Sequence, residues 1–427
     1  MNLAGLPLFG GWFVLSLELA AAVAILAAVR WRHRLTRRLW LPLAAAAAVA
    51  ASAATYWVLG SRDLAPEAAP WTFWIWLSLT VGLMFLVPAA WIGNHWWRRI
   101  TGMVAVGLTV VCLGLAANQW AGFYPTAGRA WQGLTAQPLP GQISFATLSH
   151  LRGNPEPDGK IVPLRTSDSV SRFHHRTEYV YLPPVWFAGD VPPRLPAVVM
   201  IGGVVTTPED WVRSGSALQT VRDYAATHHG QAPILVFVDP TGSLSNDTEC
   251  VDGPHGNVDT HITKEVRPAV ISEFGASDRP GSWAVAGWSM GGTCAIDLTV
   301  EHPDLFRTFL DVSGDVGPNL GDRAQTTSTL FGGRAADWDR FDPATAMRRH
   351  GPYCGVSGWF QSEGHRHHGS GLTSPQIRAT QTLSTVAHEQ GIDVVVRPVP
   401  GRHNWQFAGQ AFTDALPWLM ARVDAPN

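Results

Sequence analysis

The sequence predicts an α/β domain with a mostly parallel sheet, preceded by a separate domain of four membrane-spanning helices. Four long apolar stretches occur before residue 120, and beyond about residue 141 strand-like apolar runs alternate with helix-like runs, which is typical of βαβ units. A chain of 427 residues is also longer than one ordinary domain. We therefore expect a transmembrane domain over residues 1–118, a polar linker over 119–140 and an α/β domain over 141–427.

The apolar stretches cover residues 8–29, 41–59, 71–92 and 100–117. Each is close to the roughly 20 residues that cross the hydrocarbon core as a helix. The first stretch differs from a signal peptide because its positive charges follow the apolar run, so we expect an uncleaved helix. Glu18 lies inside it, and such a carboxylate is either functional, protonated near the outer interface or bonded to a neighbouring helix.

Basic residues in the loops predict the orientation of these helices. Five arginines lie between residues 30 and 38, and Arg98 and Arg99 follow the third stretch, whereas residues 60–70 have no positive excess. Arginine-rich loops stay in the cytoplasm. The N-terminus and everything after about residue 118 are therefore expected outside, in an integral protein of the cell membrane.

Composition limits the partners and cofactors. The formal net charge is −2, and no basic stripe interleaved with aromatics follows residue 118, which argues against a nucleic-acid partner. The α/β part holds Cys250, Cys294 and Cys354, an odd number that allows one disulfide at most and does not identify the pair. Because the cysteines lack metal-ligand spacing such as CxxC, we expect no metal site, and no organic cofactor is indicated.

Apolar runs give the expected order of strands and helices. The strands are predicted at 178–182, 197–201, 234–238, 283–286, 308–312, 353–358 and 394–398, and the helices at 208–228, 262–274, 290–302, 375–390 and 406–422.

The most informative motif is Gly287-Trp-Ser-Met-Gly291, a GxSxG sequence between a predicted strand and a predicted helix. This context is that of the nucleophile elbow of the α/β-hydrolase fold, in which a sharp turn presents a serine hydroxyl at a helix N-terminus. Small residues on both sides leave room for the strained serine backbone. The sequence therefore predicts Ser289 as a nucleophile.

A serine hydroxyl needs a base, which in this fold is a histidine beyond the last strand. His403 lies in that loop. The other histidines near the C-terminal strands are His365, His367 and His368, which are predicted to be either a solvated loop or a metal-binding cluster. We therefore expect His403 to be the base.

The third member of such a triad orients the histidine and stabilises its charge. Glu363 follows the strand predicted at 353–358 and is the only carboxylate between Asp342 and Glu389. Asp315, after the preceding strand, is the alternative. The order Ser289, Glu363, His403 is that of the hydrolase fold.

Two backbone N–H groups are needed to bind the oxyanion. We expect one from Met290, the residue after the nucleophile. The second should come from the loop after the strand 197–201, with Val204 preferred over Gly203. The other interpretation is that Gly202 and Gly203 are ordinary turn glycines.

These segments resemble the esterase family that includes the antigen 85 mycolyltransferases and esterase D. The likeness spans roughly residues 175–423 and is carried by three segments, namely 285–292 continuing to 301–303, 353–355 with Glu363, and 401–405 with 409–410. The resemblance implies an α/β-hydrolase fold and acyl transfer through a serine. Mycolyltransferases carry an Asp-Gly-Leu after the oxyanion strand, where this chain has Gly202-Gly203-Val204, so a trehalose site is not expected.

The resemblance and the membrane helices together predict a membrane-anchored serine esterase acting on a lipid or lipid-linked ester, with the bilayer and its lipids as partners. The substrate is expected to meet Gly203, Trp288 and Trp405. Asp247 and Glu249 are either acidic contacts for a cationic substrate group, as in an aminoacyl-phospholipid or aminoacyl-glycerolipid, or parts of a loop cap held by Asx-turns or a Cys250 disulfide. The alternatives are a mycolyltransferase-like acyltransferase and a catalytically silent membrane scaffold. The oligomeric state is not indicated.

Overall fold

The computed structural model describes residues 3–29, 31, 33–61, 66–90, 96–366 and 371–423. The chain divides into two compact units, Met1–Gln137 and Pro138–Asn427. Parts of four predicted features lie outside the described residues: the arginine-rich loop at residues 30 and 32, the loop at 62–65, the end of the third span at 91–92 and the histidine cluster at residues 367 and 368.

The first unit is helical. Its helices are α1 (Trp12–Ala28), α2 (Leu41–Ser61), α3 (Trp71–Ala90), α4 (Trp96–Ala121) and α5 (Ala127–Leu134). Among the described residues, Thr36–Ser61 and Trp96–Ala121 are long and apolar enough to cross a membrane, and Trp12–Ala28 and Trp71–Val87 are shorter apolar helices.

Small residues lie at close helix contacts inside this unit. Ala21 and Ala105 are fully buried, and a methyl group on Gly102 would lie 2.9 Å from a methyl of Val87, so these helices approach closely. The indole N–H of Trp76 donates to Glu18 at 3.3 Å, which fits the prediction of a carboxylate bonded to a neighbouring helix.

The segment 119–140 is more ordered than the predicted linker. Helix α4 continues to Ala121, and α5 begins where the Thr126 side chain accepts from the Arg129 N–H. Asn118 bonds both the N–H and the carbonyl of Tyr124, which holds the turn between the two helices. The sequence suggested a linker because this segment is polar and lacks the apolar pattern that predicts a helix. Its order comes from these polar hydrogen bonds.

The second unit is built on a sheet. Its strands are β1 (Lys160–Pro163), β2 (Tyr179–Leu182), β3 (Ala197–Ile201), β4 (Ile234–Phe237), β5 (Asp252–Gly253), β6 (Gly256–Asn257), β7 (Trp283–Trp288), β8 (Thr308–Val312), β9 (Ser357–Arg366), β10 (Leu372–Thr373) and β11 (Asp393–Pro400). The order is β1-β2-β4-β3-β7-β8-β9, with β10 and β11 both paired to β9, and β5 and β6 form a separate hairpin. Strands β3, β4, β7, β8, β9 and β11 are parallel, while β1, β2 and β10 pair antiparallel.

Helices cover both faces of this sheet, which is why β3, β4, β7 and β8 are buried along their whole length. They are α6 (Leu148–Leu151), α7 (Pro184–Phe187), α8 (Asp210–Arg213), α9 (Ala217–Thr227), α10 (Val258–Thr260), α11 (Arg267–Phe274), α12 (Met290–Glu301), α13 (Arg323–Phe331), α14 (Ala335–Phe341), α15 (Pro343–His350), α16 (Pro375–Glu389) and α17 (Trp405–Arg422). A π-helical turn, His261–Val266, precedes α11.

Two predicted elements differ from the structure. The strand predicted at 353–358 begins only at Ser357 and runs to Arg366, because the polar residues Gln361 and Glu363 are buried in the sheet, 1% and 3% exposed, and hide the strand pattern. The helix predicted at 208–228 is broken at Gly215, which packs tightly against Trp211 and Trp405.

Candidate active site

Ser289 lies on the sharp turn between β7 and α12. Its backbone has φ 59° and ψ −129°, a conformation that costs on the order of 1–3 kcal/mol for a residue with a side chain. A methyl group on Gly287 would overlap the Gly291 carbonyl, and one on Gly291 would overlap the Ile201 carbonyl. The motif therefore needs glycine at both positions, and the half-buried serine stands at the carboxyl edge of the sheet, where the elbow prediction placed it.

His403 follows β11 and reaches Ser289. Its Nε2 is 2.9 Å from the Ser289 Oγ, and its Nδ1 is 3.0 Å from Glu363 Oε1. Asn404 accepts from the Phe407 N–H and begins α17, which fixes the loop that carries the histidine. The three residues predicted as a triad thus form one continuous hydrogen-bonded chain.

Glu363 lies within β9 instead of in a loop after it. Its carboxylate is 3% exposed, and β11 runs parallel beside it with Val399 opposite Glu363. The hydroxyl of Ser313, the residue after β8, donates to Glu363 Oε2. Sequence reasoning missed Ser313, and only its position after a predicted strand could have suggested it.

Charges around His403 favour its protonated form. Burial acts to lower the pKa of His403, but the hydrogen bond and negative charge of Glu363 and the charge of Asp315 together raise it above the usual 6.5. Asp315 thus acts on the imidazole through space, while its N–H bonds the Thr293 hydroxyl. Asp315, the alternative acid, therefore takes a different position from Glu363.

The loop after β3 lies against the nucleophile. A methyl group on Gly203 would be 3.0 Å from Ser289 Cβ and 3.5 Å from its Oγ. The Thr206 hydroxyl donates to the Gly203 carbonyl at 2.7 Å and holds this turn. Val204 follows Gly203, and Met290 is the first residue of α12, whose first N–H groups have no partner within the helix.

The two tryptophans predicted to meet substrate differ in their surroundings. The Trp288 ring packs 5.2 Å from His403 and 4.6 Å from Trp405. Trp405 is fully buried and also packs against Trp211 at 5.3 Å. Trp405 is thus buried against Trp288, and its contact with substrate stays a prediction.

The acidic loop is held by a disulfide and by a local hydrogen bond. Cys250 and Cys294 form a disulfide that joins this loop to α12, five residues after Ser289, while Cys354 is a free, exposed thiol. The Glu249 N–H bonds the Asp247 carboxylate at 3.3 Å. Glu249 is 4% exposed, so within this loop Asp247, which is half-buried, is the more accessible carboxylate.

Among the remaining histidine candidates, the structure describes His365, which is not part of this chain of hydrogen bonds. His365 is exposed near the end of β9, paired with Thr373, and His367 and His368 lie outside the described residues.

The fold and the Ser289–His403–Glu363 chain define an α/β-hydrolase with a serine nucleophile. The Esterase family model matches residues 171–419. An uncharacterized protein of Corynebacterium glutamicum is 30% identical over 424 residues, covering 94% of this chain and 93% of that protein. The chain therefore belongs to the esterase family, and it is a serine hydrolase.

A solved structure of low identity shares this fold. An S-formylglutathione hydrolase from Agrobacterium tumefaciens is similar with a TM-score of 0.51 and 18% identity, covering 64% of this chain and 98% of that one. MPT51 (FbpC1) of Mycobacterium tuberculosis has a TM-score of 0.42 and 16% identity, covering 61% of this chain and 99% of that one.

Proposed function

We propose that this chain hydrolyses carboxylic esters through an acyl-enzyme formed on Ser289. The observation that carries the proposal is the hydrogen-bonded chain from Ser289 through His403 to Glu363. His403 Nε2 takes the hydroxyl proton as the Ser289 Oγ attacks the ester carbon, and then gives it to the leaving alcohol. Water, deprotonated by the same nitrogen, attacks the acyl-enzyme and releases the acid. Glu363 holds the imidazole and stabilises its positive charge.

The oxyanion of each tetrahedral intermediate is assigned to the N–H groups of Met290 and Val204. The close approach of Gly203 to Ser289 supports this assignment, since the Val204 N–H belongs to the next peptide along the chain.

The first test is covalent labelling. A fluorophosphonate should label the purified full chain, and Ser289→Ala should abolish labelling, whereas Ser282→Ala, at a buried serine just before β7, should leave it unchanged. Labelling that persists in Ser289→Ala contradicts the assignment. Absence of labelling in the unaltered protein would favour the silent scaffold.

We also propose that the helical unit anchors the enzyme in a membrane, with the hydrolase unit outside the cytoplasm. Support comes from α1, which turns Leu15, Leu19, Val23 and Leu26 outward at 56–66% exposure while small residues face inward. That arrangement suits lipid and not water. The disulfide is a second argument, because such bonds persist in oxidising compartments.

The orientation can be tested with intact spheroplasts. Added protease should remove the unit Pro138–Asn427 while a cytoplasmic marker stays whole. Full protection of that unit would contradict the orientation and point to cytoplasmic esters.

The proposed substrate is a lipid or lipid-linked ester of the outer leaflet, with an aminoacyl-phospholipid or aminoacyl-glycerolipid as the specific candidate. An α-ammonium next to the scissile ester would be attracted by Asp315 beside His403 and by Asp247 on the disulfide-held loop. The purified protein should release free amino acid from an aminoacyl lipid faster than fatty acid from the matching neutral ester. Asp247→Asn should reduce that preference, while Asp393→Asn, an exposed carboxylate on β11, should not.

The second candidate function is acyl transfer to a hydroxyl of a sugar or lipid. Transfer exceeds hydrolysis only when an acceptor is bound in better position than water. Because Gly202 stands where mycolyltransferases carry an Asp and provides no side chain to bind trehalose, we expect free acid as the main product even with millimolar trehalose or diacylglycerol. Stoichiometric acylation of the added acceptor would favour the transferase.

A further inference from the structure

A second group of ionisable side chains lies where β2 begins, at the same sheet edge as Ser289. Glu178 directly precedes β2, which runs antiparallel to β4 with Tyr179 opposite Phe237, so the start of β2 meets the carboxyl end of β4. His261 comes from the π-helical turn before α11, and His175 from the segment before β2. These three residues each offer a ligand atom, and the three atoms lie within 4.8 Å of one another.

We propose that His175, Glu178 and His261 bind a divalent transition-metal ion, with zinc as the best match. Three protein ligands of the imidazole and carboxylate types plus one open position are a common zinc arrangement. The sequence predicted no metal site because the cysteines lack CxxC spacing. That argument does not apply to a site made of histidine and glutamate.

One oxygen of Glu178 supports the proposal directly. Glu178 is fully buried, and its Oε1 accepts from the Asp239 N–H at 2.9 Å and lies 3.1 Å from His261 Nε2. Its Oε2 has no hydrogen-bond partner in the described part of the chain and is 3.8 Å from His175 Nδ1. A buried carboxylate oxygen normally has a partner, so this oxygen is available for a cation.

The spacing also suits a small metal ion. Ligands about 2.0–2.1 Å from a tetrahedral zinc lie about 3.3 Å from one another. His261 Nε2 lies 3.1 Å from Glu178 Oε1, and His175 Nδ1 lies 3.8 Å from Glu178 Oε2, so the two nitrogens approach the two oxygens of one carboxylate at separations on either side of that value. The His175 side chain is 15% exposed, which leaves a route for the ion and a place for water as fourth ligand.

Each histidine has an outer partner of the kind that orients metal ligands. His261 Nδ1 lies 2.8 Å from Glu265 Oε2, so the imidazole donates there and directs Nε2 toward Glu178. Glu265 is itself held by the N–H groups of Val170 and Ser171 and by the Ser171 hydroxyl. His175 Nε2 lies 3.0 Å from the Thr166 hydroxyl. Metal binding through His175 Nδ1 would replace its present 2.8 Å bond to the Arg176 carbonyl.

The charges at the site suit a divalent ion. Arg176 makes a two-point contact with Asp239. The carboxylates of Glu178 and Glu265 both face His261. A divalent ion bound by neutral imidazoles balances both carboxylates.

The test uses the full chain in detergent, stripped with chelator and dialysed, with Zn²⁺ or Co²⁺ as the probe. We expect one equivalent of Zn²⁺ by calorimetry and elemental analysis, and visible Co²⁺ bands typical of nitrogen and oxygen ligands. Zn²⁺ at 100 times its Kd should raise the Tm of the hydrolase unit by roughly 5–10 °C. His175→Gln and His261→Gln should each lose this binding and the Tm shift.

Two controls separate the site from other zinc binding. His388→Gln removes an exposed histidine on α16, and His403→Gln removes the histidine beside Ser289, and both variants should retain the equivalent of zinc. None of these measurements depends on esterase activity, so their outcome is independent of the proposed reaction. If His261→Gln fails to fold, the partly exposed His175→Gln carries the test. No stoichiometric binding to the unaltered chain, or binding retained in His175→Gln, would overturn the proposal.

Discussion

The substitution Glu363→Gln tests the triad most sharply because it keeps the shape of the side chain and removes its charge. In the structure His403 Nδ1 donates to one oxygen of Glu363, and Ser313 donates to the other. Since Ser313 offers a proton, the new amide carbonyl should face Ser313 and the amide nitrogen should face His403. An N–H facing Nδ1 favours the tautomer with its proton on Nε2, which can no longer accept the proton of Ser289.

The expected loss is large. Replacing the acid of such a triad by its amide lowers kcat by roughly 10⁴-fold. That factor corresponds to about 5 kcal/mol of transition-state stabilisation. The acid limb of the pH–rate profile, where activity falls as the pH drops, should also shift. Glu363 is the main group that raises the pKa of His403, and burial, which acts to lower it, would remain. The residual activity should therefore persist to lower pH than in the unaltered enzyme.

The assay is steady-state hydrolysis of a chromogenic ester by the detergent-solubilised full chain over a range of pH. Asp315→Asn is the matched control, because Asp315 acts on His403 through space and should cost less than tenfold. A Glu363→Gln enzyme within tenfold of the unaltered rate, or one with an unchanged acid limb, would refute the assignment. A larger loss in Asp315→Asn would move the acid to that residue.

Four further outcomes are expected. In the unaltered enzyme, kcat/KM should fall as pH drops through a midpoint above 6.5, because the raised pKa of His403 keeps the imidazole protonated, and hence unable to act as base, to higher pH. Ser313→Ala should lower kcat by about tenfold or more, since a hydrogen bond to a charged group contributes about 1.5–3 kcal/mol, and KM should change little. Gly203→Val should lower kcat by roughly 10²–10³-fold with little change in Tm, because its side chain would press on the nucleophile. Replacing both Cys250 and Cys294 by serine should cost about 4 kcal/mol of stability, since the bond closes a loop of 44 residues, whereas replacing Cys354 should leave the thermal melt unchanged.

Local sequence patterns were sufficient for the elbow and for the histidine loop. The turn around Ser289 needs small residues at fixed positions, so five consecutive residues are enough to predict it. The order of residues along the chain predicted Glu363 as the acid, in a loop after a strand at 353–358. The structure has Glu363 within the strand Ser357–Arg366. Strand β9 buries a polar run, and only contacts with β8 and β11 make that run a strand.

Longer-range contacts were not predictable from one sequence. Ser313 meets Glu363 across 50 residues, and His261 meets Glu178 across 83. The separation of each pair along the sequence does not predict that its two residues meet. The disulfide pair was equally open until the fold placed Cys294 on α12 beside the loop that contains Cys250.

The links around Ser289 have one mechanistic consequence. The serine is held in a costly backbone conformation, its N–H bonds the Val312 carbonyl at 2.9 Å, and the helix that follows is tied by the Cys250–Cys294 disulfide. Neighbouring strands and a covalent bond therefore fix the nucleophile before any substrate binds. A serine fixed in this way favours the tetrahedral intermediate of any ester that reaches the site. Under the proposed reaction, selection among esters, and between water and another acceptor, then comes from the surrounding loops, where Gly202 leaves no side chain to hold a competing sugar hydroxyl.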